Sequence, residues 1–226
     1  MWFAGPARRA PEAGRPGALR LGFDLKPGMR VGLYGGSFNP AHAGHAHVAD
    51  TALARLGLDR VIWLVSPQNP LKRAAPDNLA ARISAARRMA HGPSMIVSDL
   101  ETRLGATYTI DVIRLLKVRF PGVRFVWIMG ADNMASFHRW RGWAEIMRAV
   151  PVAVVSRPGY VLAGGLAPAA GRFSHARRPS TQAGALAGTP APAWVYLTAP
   201  LNFISSTSLR HRSARTAGEK PSVDSK

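Results

Sequence analysis

The 226 residues include no cysteine. That excludes disulfide scaffolds, thiolate nucleophiles and cysteine-ligated zinc or iron–sulfur centres. Acid is scarce: 12 Asp and Glu stand against 30 Lys and Arg, a formal net charge of +18. No run of about 18 apolar residues occurs, so no segment reads as a bilayer-spanning helix. Arg8, Arg9 and Arg15 near the start are followed by no apolar stretch of the kind a secretory signal needs. The expectation is a cytoplasmic chain with no membrane partner. The hydrophobic content of 47% is ample for a core, and a chain of this length buries about 70% of its unfolded surface.

An excess of positive charge invites a nucleic-acid reading, but its distribution argues otherwise. Residues 1–30 carry six basic and two acidic groups, residues 31–150 fifteen and eight, residues 151–204 four and none, and residues 205–226 five and two. No block of five or six like charges stands out. Such a diffuse field suits any polyanion, a nucleoside triphosphate included, and we expect no nucleic-acid partner.

Residues 1–29 hold four Pro and five Gly without apolar periodicity and read as a flexible leader. Met29 to Tyr34 is a short apolar strand that stops at Gly35-Gly36. A helix follows from Ala43 to Leu58, with Val48, Ala52, Leu53 and Leu56 on one face. Val61 to Val65 is a second strand. Asp77 reads as the N-cap of a helix over Asn78 to Ala90, and Met95 to Val97 as a third strand. Thr107 or Thr109 opens a helix to Val118, stopped by Pro121-Gly122. Strands at Val123–Met129 and Pro151–Ser156 flank a helical stretch around Trp143 to Arg148, and Val195 to Leu197 is a late strand.

Strands apolar on both faces, alternating with amphipathic helices, specify an α/β fold: a doubly wound, mostly parallel sheet with helices on both faces. Its ligands sit at the carboxyl ends of the strands. From 158 to 192, 20 of 35 residues are Ala, Gly or Pro. That composition reads as a mobile insertion with one short helix. The expected organisation is a leader over 1–29, one domain over 30–212 and a flexible tail over 213–226.

Two stretches carry the chemistry. In the first, Tyr34-Gly35-Gly36-Ser37-Phe38-Asn39-Pro40-Ala41-His42-Ala43-Gly44-His45, a strand runs through a glycine turn into a helix start, where α/β sheets hold phosphate. Gly35 and Gly36 let backbone approach a ligand closely, and Pro40 suits a turn or a helix start. His42 and His45, three apart, share a face of the first helical turn. They serve as phosphate donors, as ordinary caps, or as half of a metal site completed by His47 and Asp50. In the second stretch, Asn202 to Arg210, the hydroxyls of Ser205, Ser206 and Thr207 enter a helix with Arg210 one turn on. Alone this is a good N-cap; opposite the first stretch it is the other wall of a polyphosphate site.

The pair GGSFNPAHAGH and ISSTSLR resembles the two signatures of the H-x-G-H nucleotidyltransferases, most of all the bacterial nicotinate-nucleotide adenylyltransferases. The likeness runs from about Arg30 to Arg210. Pro67 to Lys72 resembles that family's P-x-x-P-x-K loop, with Leu71 in place of a frequent His. Thr107-Tyr108-Thr109-Ile110-Asp111 is similar to its Y-T-x-D segment, Gly130-Ala131-Asp132 to its G-x-D element, and Arg157-Pro158-Gly159 to its R-P-G. Leu209 and Asn39 replace the more frequent Ile and Asp.

The resemblance implies a Rossmann-like enzyme joining ATP and nicotinate mononucleotide into deamido-NAD, with release of pyrophosphate. It implies catalytic roles for His42, His45 and Arg210, and an ATP site including Gly35, Gly36, Ser37, Phe38, Gly130, Asp132, Ser205, Ser206 and Thr207. Lys72, Thr107, Tyr108, Trp140 and Arg157 would meet the mononucleotide, with Trp140 stacked on the pyridine. Mg²⁺ would come as a cofactor held mainly by the ATP phosphates, with no protein metal site. Read without the resemblance, Asp132 is also a helix cap, Trp140 and Trp143 are also core packing or an aromatic-basic RNA surface, and Lys72 is also solvated charge. The competing functions are adenylyl transfer to pantetheine phosphate or nicotinamide mononucleotide, and a basic nucleotide- or RNA-binding module. Oligomeric state is left open.

Overall fold

A computed structural model describes residues 22–67, 78–106, 108–156 and 166–198. Among them, seven strands form one sheet in the order β3-β2-β1-β4-β5-β7-β6, parallel at every pairing. They are β1 (Arg30–Gly36), β2 (Arg60–Val65), β3 (Met95–Ser98), β4 (Arg124–Gly130), β5 (Val152–Val155), β6 (Arg177–Arg178) and β7 (Trp194–Leu197). The chain builds outward from β1 to β3, then crosses back to place β4 on the other side of β1. That reversal puts the switch point of the sheet between the carboxyl ends of β1 and β4.

The period of two along each strand sorts the core into two layers. Leu33, Ile62, Leu64, Trp127, Met129, Val154 and Trp194 face one side. There they meet α4 (Thr109–Arg119), α5 (Ala131–Ser136), α6 (Trp143–Ala149) and α7 (Pro168–Arg172). Tyr34, Trp63, Val65, Ile128, Ala153 and Val195 face the other, against α1 (Ala43–Arg55) and α2 (Leu79–Met89). Both faces are covered, which is why the strands read as continuous apolar runs.

Several boundaries differ from expectation for local reasons. α1 ends at Arg55, where Gly57 at φ 58° turns the chain toward β2. Asn78, not Asp77, caps α2: its Oδ1 accepts from the Ala80 N–H at 2.9 Å. Asp77 lies outside the described residues. α4 starts at Thr109 with Tyr108 as its cap. Two short elements carry no periodic signal, α3 (Leu100–Arg103) and α5 with the 3-10 turn behind it.

Two segments read as mobile include packed residues among those described. The described chain is already packed before Arg30. Leu25 is buried, Phe23 stacks on Phe120 at 6.0 Å, and the Gly28 N–H donates to the Gly122 carbonyl at 2.9 Å. Residues 166–192, within the Ala/Gly/Pro-rich stretch, form α7, two 3-10 segments and β6. Ala169, Ala170, Phe173, Ala183 and Leu186 are buried there. The 3-10 segment over Ser180–Gly188 packs on β7 and β4, while α7 packs on α5 and the 3-10 turn behind it, and Phe173 and Leu186 are buried with them.

Candidate active site

The turn that leaves β1 is organised by rings. Phe38 adopts φ 45°, a conformation that costs a non-glycine residue about 1–2 kcal/mol. Its buried ring repays that by packing on Tyr34 at 5.3 Å, Trp63 at 5.1 Å and His45 at 5.1 Å. The two glycines make room for such rings. A Cβ on Gly36 would stand 3.0 Å from Phe38, and one on Gly35 would collide with the Trp127 ring. Tight packing against aromatic side chains is therefore the observed reason for both glycines. Asn39 and Pro40 form the turn itself, so Pro40 does not start the helix.

His42 and His45 form a capping box at the start of α1. His42 is the N-cap, and its Nδ1 accepts from the Gly44 N–H at 3.0 Å. The His42 N–H donates to His45 Nδ1 at 3.2 Å. A ring nitrogen that accepts carries no proton, so each neutral imidazole bears its hydrogen on Nε2. Backbone geometry thereby selects the tautomer that makes both Nε2 groups donors. The rings lie 3.9 Å apart, with His42 only 4% exposed. Their shared face arises from cap and third helical residue, rather than from two positions inside the helix. His47 and Asp50 do not join them: no three His, Asp or Glu side chains among the described residues are grouped to hold a metal.

Across the switch point, β4 ends at Gly130, which caps α5 with its backbone extended. Asp132 sits in the first turn of α5 and is not its cap. This settles one of the alternatives for that residue. On the far face of the sheet, the Trp127 ring fills the space above Gly35 and meets Trp140 edge-on at 6.3 Å. Trp140 also packs on Phe137 at 5.4 Å. Tyr108, half-buried at the start of α4, carries the Arg141 guanidinium 4.5 Å above its ring. So the histidine pair lies on one side of the β1 end, and the Trp140 ring on the other.

A buried polar set, not anticipated from the sequence, lies beneath the same edge. Arg82 of α2 is 2% exposed. Its Nη1 donates to the Ser37 carbonyl at 2.8 Å and the Ser66 carbonyl at 2.6 Å, and its Nη2 to the Pro67 carbonyl at 2.9 Å. Glu101 is buried in α3, and burial pushes its carboxyl up to about 7 although the Ser66 hydroxyl donates to it. The usable signal was positional. Arg82 stands three residues after Leu79 and four before Ala86, on the helix stripe that faces the sheet.

Gly35, Gly36, Ser37, Phe38, His42, His45, Gly130, Asp132, Tyr108 and Trp140 thus gather around the carboxyl ends of β1 and β4 or in the layer beside them. Lys72, Thr107, Arg157, Ser205, Ser206, Thr207 and Arg210 lie outside the described residues.

A family model described as cytidylyltransferase-like matches residues 33–212. A probable nicotinate-nucleotide adenylyltransferase of Caulobacter sp. (strain K31) is 65% identical, over 83% of this chain and all of that one. The chain belongs to this family of nucleotidyltransferases. A second such relative, from Methylorubrum extorquens, is 53% identical over 81% of this chain and all of its own length. The fold is shared with Plasmodium falciparum nicotinic acid mononucleotide adenylyltransferase complexed with NaAD, at TM-score 0.63 and 16% identity, over 81% of this chain and 83% of that one. Membership makes this chain an enzyme that transfers a nucleotidyl group.

Proposed function

We propose that this enzyme joins ATP and nicotinate mononucleotide to give deamido-NAD and pyrophosphate, in NAD biosynthesis. The observation that carries the proposal is the His42–His45 capping box, which presents two Nε2–H donors at the switch point of a nucleotidyltransferase sheet.

The mononucleotide's phosphate is already an anion at neutral pH and attacks the α-phosphorus of ATP. Pyrophosphate leaves as a stabilised anion, so no general base is needed. What the protein supplies is alignment of two polyanions and donors for the charge that builds on the leaving group. His42 and His45 donate to the triphosphate, while Gly35, Gly36, Ser37 and Phe38 shape the turn that receives it. Asp132 accepts from a ribose hydroxyl. Trp140 stacks on the pyridine, and the backbone near Thr107 and Tyr108 meets the nicotinate carboxylate. Lys72 and Arg157 add positive charge toward the mononucleotide. Arg210, with Ser205, Ser206 and Thr207, takes the pyrophosphate end; this part of the proposal rests on sequence. Mg²⁺, held mainly through the ATP phosphates, would offset the charge of the triphosphate beside His42 and His45.

The test is pyrophosphate release from ATP with nicotinate mononucleotide, nicotinamide mononucleotide and pantetheine phosphate in separate reactions. The first should be strongly preferred, and preference for either of the others would replace the proposed substrate. His45→Ala should lower turnover by about 10² or more, the effect of losing one preorganised donor. Unchanged turnover would remove His45 from the site.

A further inference from the structure

β1 and β2 run together until the Ser66 N–H donates to the Gly36 carbonyl at 3.0 Å, and beyond that bond the two chains part. One continues through Ser37 to His42. The other continues through Pro67 toward Lys72. Arg82 sits at the fork. One nitrogen of its guanidinium takes a carbonyl from each branch, Ser37 and Ser66, and a second takes Pro67. The planar, rigid guanidinium makes these contacts a spacer of set width.

Ser66 is held twice. Arg82 grips its carbonyl, and its hydroxyl donates to Glu101. The Glu101 carbonyl in turn accepts the Ala106 N–H at 2.9 Å, two residues before Tyr108. One chain of hydrogen bonds therefore links the turn of the histidine pair, the end of β2 at Ser66 and Pro67, and the approach to α4. A buried guanidinium is costly unless its N–H groups are paired, and an apolar residue would fill the same volume without that cost. The three carbonyls that Arg82 serves all belong to loop stems at the carboxyl edge.

We propose that Arg82, with Glu101 behind Ser66, is a positioning unit of the enzyme, setting the separation between the turn that holds the triphosphate and the loops that hold the attacking mononucleotide. The proposal rests on the adenylyltransferase reading above. Each substrate keeps its own contacts when the spacer is lost, but the line of attack between them does not survive.

The experiment uses the full chain with Arg82→Met, which keeps the stem, and Arg82→Lys, which keeps the charge and loses the fork. In molecules shown folded by circular dichroism and thermal midpoint, kcat should fall about 30-fold or more while KM for each substrate stays within about threefold. Millimolar guanidinium should restore part of the kcat of Arg82→Ala. Hydrogen exchange should quicken at residues 36–38 and 66, and not at β4 or β5. Unchanged kcat in a folded Arg82→Lys, or a rise in one KM alone, would overturn the proposal. So would unaltered exchange at residues 36–38 and 66. Should the unsubstituted chain release no pyrophosphate, the substrate assignment fails, and exchange still decides whether Arg82 ties the two stems. If Arg82→Met does not fold, Arg82→Lys carries the decision.

Discussion

Around the carboxyl end of β1, glycine makes room for rings that belong to other elements; between Leu166 and Pro192, alanine is itself what is buried. Gly35 and Gly36 are empty spaces into which Trp127 and Phe38 fit. Ala169, Ala170, Ala183 and Ala187 are themselves buried, the first two where α7 packs on α5 and the last two where the 3-10 segment packs on β7 and β4. The polar content differs as well. The β1 side buries His42, Arg82 and Glu101, whereas no charged residue of 166–192 is buried. One region combines tight packing with hydrogen-bonded polar groups and can orient a substrate. The other is an apolar cover that completes the core. Small residues are therefore informative only through what they face.

The comparison breaks most visibly at Leu186. It is 1% exposed in the layer that includes Val195 and Leu197. Leu186→Ala should destabilise the protein by about 3 kcal/mol in urea unfolding. A loss below about 1 kcal/mol would restore the loosely attached insertion that composition suggests. Next in size is Gly35→Ala. Its new Cβ would collide with Trp127, and overpacking of this kind costs about 1–3 kcal/mol. Gly184→Ala, with no atom within 4 Å and on the exposed side of its 3-10 segment, should stay within about 0.5 kcal/mol. Equal effects at the two glycines would erase the distinction.

The buried polar group on the site side makes a further difference, one that depends on pH. Glu101 holds its proton to about pH 7 in the folded state, against an ordinary 4.5. Below 4.5 both states are protonated and the folded state bears no charge penalty there. As pH rises toward 7 the unfolded chain releases a proton that the folded chain keeps, so stability falls; above 7 the loss is complete. At about 1.4 kcal/mol per unit the whole effect is at most about 3.5 kcal/mol. Glu101→Gln should flatten the decline in urea midpoint between pH 5 and pH 8. A slope as steep as that of the parent chain would show that Glu101 is not its source.

Most of the fold was legible because parallel strands buried on both faces leave continuous apolar runs, and Val61–Val65 and the run ending at Met129 could be read without a partner in view. α3 and α5 were not legible, since six residues or fewer span too little of a helical period to show one. The histidine pair was visible from its spacing and place after a strand, but the tautomer that makes both rings donors depends on two backbone N–H groups oriented by the fold. Arg82 looked like one more basic residue in a basic chain.

The order of residues alone decided the alternation of strand and helix, the absence of thiol chemistry and the position of a glycine turn and histidine pair after β1, because each follows from side chains close together in the chain. Only the tertiary structure decided that Gly35 answers Trp127 from β4, that alanines far down the chain complete the core, and that one guanidinium joins three carbonyls on two loop stems. Those contacts link residues at least 15 positions apart, and no local period or propensity records which distant group will arrive.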